Sequence, residues 1–182
     1  MPMPLNPNSY TAVFISEEVL KENSVINANV DMEMLRPIMK LATDIYLQEL
    51  IGSSLYVDLQ NKIASFSTNA NEKFLLKAYI HPFLIWSIMK EVPVYTTYRH
   101  SNKGIQVANS DNSQPAAMDD LNKLSDKADI RAGFYGTRLI QYLNDNKTLF
   151  PSYKGNTNDE VRPSRNAYTS RLRMVGAKRK HC

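Results

Sequence analysis

The chain has 182 residues, of which 43% are hydrophobic, 9% are aromatic and 22% are charged, and its formal net charge is +4. This length and composition predict one soluble domain with extensions and with enough apolar residues for a core. No apolar run approaches the roughly 20 residues needed to cross a bilayer, so we predict no membrane partner. The first ten residues, MPMPLNPNSY, lack the basic start and the apolar stretch of a signal peptide.

The cysteine and histidine content excludes several kinds of chemistry. Cys182 is the single cysteine and there are three histidines, so neither an internal disulfide nor a metal cluster is expected. This usage is typical of synthesis in a reducing cytoplasm. The phosphate loop and the G-x-S-x-G, H-E-x-x-H and C-x-x-C motifs are absent. We therefore predict a protein that is not an enzyme and has no cofactor.

Positive charge is concentrated at the C-terminal end. Residues 152–182 contain eight Lys and Arg residues against Asp159 and Glu160, a net charge of +6 that leaves −2 on the remaining chain. This asymmetry predicts a basic interaction arm over residues 152–182. The candidate contacts with a partner protein or with DNA are Arg162, Arg165, Arg171, Arg173, Lys178, Arg179 and Lys180. A solubilising tail, a protein-docking arm and a contact with DNA in a channel all remain open.

The N-terminal residues 1–29 predict an extended arm with one short helix, which Ser16 can cap. A strong helix is predicted over about 31–51, with Asp31 as its cap. Pro37 lacks the N–H that a helix interior needs, so either it lies in the first turn or the helix bends there. Apolar residues recur at helical spacing along this segment: Ile38, Leu41, Ala42, Ile45, Leu50 and Ile51.

The stretch LATDIYLQELIGSSLYVDLQNKI predicts two helices that meet at a tight corner. Gly52 is the natural left-handed stop of the first helix. Ser53 or Ser54 can cap the second helix, in which Leu55, Leu59 and Ile63 lie four residues apart on one face.

A polar loop then leads into a long helix over residues 72–90, for which Asn69 or Asn71 is a plausible cap. This helix is apolar on nearly every side, which is typical of a central helix enclosed by others. Pro82 is expected to kink it. His81 can be a catalytic base or a packed or carbonyl-bonded histidine, and its apolar surroundings favour the second interpretation.

Residues 94–108 change character and predict a small β-hairpin, with Asn102 and Gly104 in the turn. A two-stranded hairpin alone is only marginally stable, so we expect it to pack against helices or against a neighbouring subunit. The candidate residues of such a subunit interface are Tyr95, Tyr98, Arg99, Lys103, Ile105 and Val107. Its tyrosines and basic residues also resemble a surface on which nucleic-acid bases stack, although an ordinary strand is the favoured interpretation.

The last predicted helix follows Pro115 and runs to about residue 146. Asp119 and Asp120 favour its first turns through the helix dipole, which is a better explanation of this pair than acid–base catalysis. Gly133 and Gly136 permit close packing or a break. The complete fold prediction is mainly α: an antiparallel helical bundle over residues 30–151, with the hairpin at about 94–108 and extended arms at both ends.

The order of the predicted elements resembles that of a known family. The elements are the corner, the long apolar helix, the hairpin YTTYRHSNKGIQVANS and the final helix. Together they resemble the head–tail connector proteins of tailed bacteriophages, which are also called head-completion, neck ring or portal adaptor proteins. Members often show I-x-x-A-x-x-x-x-[IL]-x-x-x-[IL]-G followed by L-Y-x-x-L. The positions that match here are Ile38 or Leu41, Ala42, Leu50, Ile51, Gly52, Leu55, Tyr56 and Leu59. The proline-rich leader and the basic tail resemble those of the longer adaptors of crAss-like phages.

This resemblance implies a structural virion protein that is made in the host cytoplasm and located in the neck or tail region. It implies a homo-oligomeric ring, commonly of twelve copies, that lies between the portal protein and the tail, extends the DNA channel and docks the tail. The implied partners are other copies of the chain, the portal, tail or further ring proteins, and packaged DNA through non-specific contact. The alternative drawn from the charge distribution is a helical protein that binds nucleic acid non-specifically through its basic C-terminal tail.

Overall fold

The computed structural model describes residues 14–26, 30–101, 104–107, 117–154 and 161–163, and it is mainly helical, as predicted. The elements in chain order are α1 (Glu17–Glu22), α2 (Met32–Leu41), a π-helical turn (Ala42–Leu47), α3 (Gln48–Ala64), α4 (Ala70–Leu75), a second π-helical turn (Leu76–Ile80), α5 (His81–Thr97), β1 (Tyr98–Ser101), β2 (Gly104–Val107), α6 (Met118–Asp145) and a 3-10 turn (Pro151–Lys154). Within the described ranges, no helix is both long enough and apolar enough to span a bilayer.

Part of the N-terminal segment belongs to the core. Ser16 caps α1 by accepting a hydrogen bond from the Val19 N–H, as predicted. Phe14, Ile15 and Leu20 are buried in the same apolar cluster as α3 and α5. The structure therefore differs from the predicted extended arm over residues 14–26, because these three large side chains lose contact with water only by packing on the helices.

The first long helix passes through Pro37 and then widens. Asp31 caps α2 by accepting from the Glu33 N–H, and Pro37 lies inside the helix, beyond its first turn. The π-helical turn that follows inserts an extra residue into the helix, which rotates the side chains that come after it. Ile45 is consequently exposed although the regular spacing places it on the apolar stripe.

A capping box starts the second long helix, and a π-helical turn accommodates its proline. Asn69 accepts from the Glu72 N–H, and the Glu72 carboxylate accepts from the Asn69 N–H at 2.9 Å. Further along, the His81 N–H donates to the Leu76 carbonyl five residues back. This wider hydrogen-bond spacing lies directly before Pro82, where the regular i to i−4 ladder would lack a donor.

The largest helical contact in the described chain is between α5 and α6, which run antiparallel. The contacts that α5 and the turn before it make with α6 run in opposite order along the two segments: Lys90 with Asp129, Trp86 with Arg131, and Tyr79 with Tyr142. Gly133 and Gly136 are buried within an unbroken α6. The prediction that these glycines break the helix is therefore wrong. Their small size suits the alternative prediction, close packing of α6 against its neighbours.

Two short strands follow α5. They pair antiparallel, with Tyr98 opposite Val107 and Ser101 opposite Gly104. The prediction that the first strand begins at residue 94 is wrong, because α5 continues to Thr97. The hydroxyl groups of Thr96 and Thr97 donate back to main-chain carbonyls in the preceding turn, and this local bonding is compatible with the helix despite the β-branched sequence.

The segment that follows α6 returns to α3. Phe150 and Tyr153 are buried, and the Ser152 hydroxyl donates to Asp58 of α3 at 3.1 Å. Tyr153 therefore belongs to the core and not to a basic arm that begins at residue 152.

An exposed phenylalanine occupies the turn that ends α3. The Ser67 N–H donates to the Lys62 carbonyl at 2.9 Å, and the Phe66 N–H donates to the Ile63 carbonyl at 3.2 Å. This is the Schellman pattern, in which the residue at the position of Phe66 is usually glycine. Phe66 has a φ of +54°, and 95% of its surface is exposed. The Phe66 ring therefore makes little packing contact that could offset the strain of the left-handed backbone conformation.

We expect Phe66→Gly to raise the free energy of unfolding by about 0.5–1 kcal/mol, because glycine adopts positive φ without a Cβ clash. Chemical denaturation of the full chain measures the change. Ser65→Gly is the matched control, since Ser65 has a φ of −90° and its hydroxyl donates to the Asn61 carbonyl. The control should lower stability, and a destabilised Phe66→Gly variant would contradict this account of the turn.

Candidate assembly surfaces

The predicted subunit interface lies at the end of α5 and in the two strands. Tyr95 lies in the last turns of α5 and is 47% exposed. Tyr98, Arg99, Ile105 and Val107 lie in the strands, where only the backbone is described, and Lys103 is outside the described residues. The described sheet has two strands, so each has an outer edge that no other described strand pairs. Such edges can pair with an added strand.

The Gly52 corner has a geometry that only glycine readily adopts. Its φ of 77° and ψ of 157° break the helical path inside α3, which confirms the predicted corner. The ψ value differs from a left-handed helical stop and lies in a region that is essentially restricted to glycine. A Cβ on Gly52 would lie 2.6 Å from Cδ of Pro163, so the missing side chain also makes room for the tail segment.

The segment Val161–Pro163 docks on this corner. The Ser53 N–H donates to the Val161 carbonyl at 2.8 Å, and the Val161 N–H donates to the Ser53 hydroxyl at 3.0 Å. The same hydroxyl accepts from the Gln48 side chain at 2.8 Å, which links the two halves of α3. Because α3 restarts after Gly52, the Ser53 N–H has no partner one turn earlier, and the tail supplies one. We call this arrangement the corner–tail clip.

Only one of the predicted tail contacts can be placed. Arg162 is exposed and lies between the two residues that dock on the corner. The other six, Arg165, Arg171, Arg173, Lys178, Arg179 and Lys180, lie outside the described residues. Of the seven candidate contacts, the corner–tail clip therefore positions Arg162.

Tyr56 and His81 make interactions that link elements of the fold. The Tyr56 hydroxyl donates to Asp44 at 2.8 Å, and burial together with this bond raises the pKa of Tyr56. Burial lowers the pKa of His81, while a hydrogen bond with the Phe14 backbone acts in the opposite direction. His81 thus ties α5 to the N-terminal segment, which fits the predicted carbonyl-bonded histidine. Among the described residues, no group of three or more His, Cys, Asp or Glu side chains is arranged to hold a metal ion.

A further surface, which the sequence patterns do not predict, combines aromatic rings with arginines. We define this aromatic–arginine surface by Phe74, Tyr79, Arg131, Phe134, Arg138 and Tyr142. The rings of Tyr79 and Tyr142 stack at 4.2 Å, and Phe74 packs edge-on against both. The Arg138 guanidinium lies 5.6 Å from the Tyr79 ring and 5.8 Å from the Phe134 ring. Cation–π contacts of this kind hold the guanidinium in place.

The exposure of these rings distinguishes the surface from a core cluster. Phe134 is 61% exposed and Phe74 is 53% exposed. The periodicity of α6 contains a signal that could have revealed it, because Ile130 and Phe134 fall outside the apolar stripe that holds Leu139 and Leu143. Aromatic and arginine side chains are enriched among the residues that dominate binding at protein interfaces.

Residues 47–163 match a family of unknown function, DUF6712. The chain belongs to this family. The DUF6712 match begins in the first π-helical turn and ends at Pro163, so it includes both partners of the corner–tail clip. No curated protein and no solved structure matches the chain.

We expect Gly52→Ala to lower the free energy of unfolding by about 2 kcal/mol or more, because alanine must adopt a strained backbone and its Cβ meets Pro163. Amide hydrogen exchange at Val161, whose N–H donates to the Ser53 hydroxyl, should become faster at the same time. Val57→Ala, at an exposed position of the same helix, is the control and should change stability by less than about 0.5 kcal/mol. Unchanged exchange at Val161 in Gly52→Ala would show that the clip does not depend on the glycine.

Proposed function

We propose that this chain is a structural virion protein of a tailed phage that forms an oligomeric ring between portal and tail. In this role it extends the DNA channel and docks the tail, as a portal adaptor or neck ring protein does. The helices form an antiparallel bundle that acts as one wedge of the ring. The protein is made in the host cytoplasm and resides in the neck of the virion.

The main support for the proposal is the helical corner at Gly52, together with the order of the elements that follow it. The corner is followed by the apolar helix α5, the paired strands and the long helix α6, in the order on which the resemblance to connector proteins rests. The α2–α3 segment before the corner and the α5–α6 pair supply the elongated elements that a repeated wedge needs. The DUF6712 match spans the corner, the strands and α6, and it leaves the function open.

The strands and the tail support an assembly role. The outer edges of β1 and β2 can pair with a strand of an adjacent copy, with Tyr95, Tyr98, Arg99, Lys103, Ile105 and Val107 at that contact. The basic tail starts from a fixed point at the corner–tail clip, beside Arg162. An arm anchored in this way can reach an acidic surface of the portal or the phosphates of packaged DNA.

The proposal predicts that the purified full chain, mixed with the portal protein of the same virus, forms a ring on the portal, commonly with twelve copies. Negative-stain imaging and native mass spectrometry of the mixture measure the assembly. The same chain mixed with an unrelated portal is the control and should remain unassembled. A chain that stays monomeric at all concentrations with its own portal would contradict the proposal.

Non-specific nucleic-acid binding is a second candidate, which the net charge of +6 over residues 152–182 favours. It predicts that the affinity for duplex DNA falls steeply with salt, because Lys and Arg release counterions from the phosphates. Glutamine substitution of Arg165, Arg171, Arg173, Lys178, Arg179 and Lys180 in the full chain should abolish most of the binding and flatten the salt dependence. Equal binding by this variant in a fluorescence anisotropy titration would remove the basis of this candidate.

A further inference from the structure

The aromatic–arginine surface carries positive charge that the described chain does not neutralise. Arg131 and Arg138 are exposed and form no ion pair with any described residue. Arg131 lies 4.4 Å from the ring of Trp86, and Arg138 lies over Tyr79, so both guanidinium groups are held by rings. A carboxylate brought to this surface would meet two positioned cations and the exposed Phe134 ring.

The N-terminal part of α6, before Arg131, carries exposed carboxylates. We define the acidic surface by Asp119, Asp120, Leu124 and Asp126, all of which are exposed. The exposed Lys123 and Lys127 lie beside these residues, so the negative charge of this surface comes mainly from Asp119 and Asp126, which lie seven residues apart on one face of the helix. Asp120 makes an exposed pair with Lys123, whereas Asp119 and Asp126 form no ion pair with described residues. Leu124 is 54% exposed, so this surface also offers apolar area.

The two surfaces cannot meet within one copy. Both include residues of the same 28-residue helix, and the midpoint of Asp119 and Asp126 lies twelve residues, or about 18 Å along the axis, from the midpoint of Arg131 and Arg138. Negative charge in the N-terminal part of α6 and positive charge in its C-terminal half are compatible with a head-to-tail contact, which forms a ring when the rotation between copies closes. The occupant that fits the aromatic–arginine surface is therefore a second copy of this chain.

A protein partner fits the aromatic–arginine surface better than stacked nucleic-acid bases. Base stacking needs free ring faces, whereas Arg138 already lies over Tyr79 and Phe134, and Tyr79 and Tyr142 stack on each other. Ile130 next to this surface is exposed and offers apolar contact without a π face.

We propose that the acidic surface of one copy binds the aromatic–arginine surface of the next copy and forms a subunit contact of the ring. This inference rests on the proposed ring and adds the pair of surfaces that closes it. Charge complementarity between Asp119 or Asp126 and Arg131 or Arg138 selects the register, and burial of Phe134 and Leu124 adds apolar contact.

The experiment compares full-chain variants with reversed charge on one surface at a time. Asp119→Lys/Asp126→Lys alone and Arg131→Glu/Arg138→Glu alone should each assemble on the portal about tenfold more weakly than the unmodified chain. An equimolar mixture of the two variants should recover assembly, because each reversed surface then meets its opposite charge. Native mass spectrometry and sedimentation velocity measure the size of the species.

Two further variants exclude trivial explanations. Glu33→Lys/Glu49→Lys reverses the same amount of charge at exposed sites on α2 and α3, and it should assemble like the unmodified chain. Phe134→Ser removes an exposed ring without changing charge, and it should weaken assembly while circular dichroism shows a folded helical protein. This second variant tests the aromatic–arginine surface even if Arg131→Glu/Arg138→Glu fails to fold.

The outcomes separate this inference from the ring itself. Rings that form equally well from both charge-reversed variants would overturn the pairing of surfaces and leave the ring intact. Assembly that stops at a symmetric dimer would overturn the head-to-tail geometry, since an antiparallel α6 pair would satisfy the same charges. An unmodified chain that never assembles, even on its portal, would overturn the proposed function and this contact with it.

Discussion

The backbone of Gly52 is the constraint on which the arrangement of the described chain depends. Its combination of φ 77° and ψ 157° ends one helical path and starts another within a single residue. The restart leaves the N–H of Ser53 without a helical acceptor, and Val161 provides one across more than one hundred residues of sequence. A residue with a Cβ at this position would strain the backbone and displace Pro163, so the corner and the path of the tail are one structural feature.

Local signals in the sequence were sufficient where short-range chemistry decides the structure. Ser16, Asp31 and Asn69 each cap the helix that the pattern predicts, because a capping side chain needs only a donor two or three residues away. The apolar character of the segment around Phe83 and Ile88 likewise indicated a central helix, and both side chains are fully buried. These features depend on sequence spacing alone.

The sequence failed where tertiary contacts or irregular helices decide the outcome. A π-helical turn exposes Ile45, and simple helical periodicity does not anticipate the extra residue. The β-branched run before Tyr98 favours a strand, yet α5 continues to Thr97, so local propensity was overridden. Phe14 lies in a segment with few helical signals, and only packing against Tyr56 and its neighbours shows that it belongs to the core.

Candidate interaction residues were harder to predict than the core, because an apolar residue in a helical pattern is ordinarily assigned to packing. Phe66, Phe74 and Phe134 instead expose more than half of their surface, and Phe66 also has a strained backbone. Stability of the isolated chain would favour glycine at position 66, whose φ is +54°. The exposed rings of Phe74 and Phe134 leave apolar area in water beside positioned arginines, and a contact with a neighbouring copy would bury that area. The aromatic–arginine surface therefore keeps apolar area and positive charge exposed where another protein can cover them, which is the physical basis of the proposed ring.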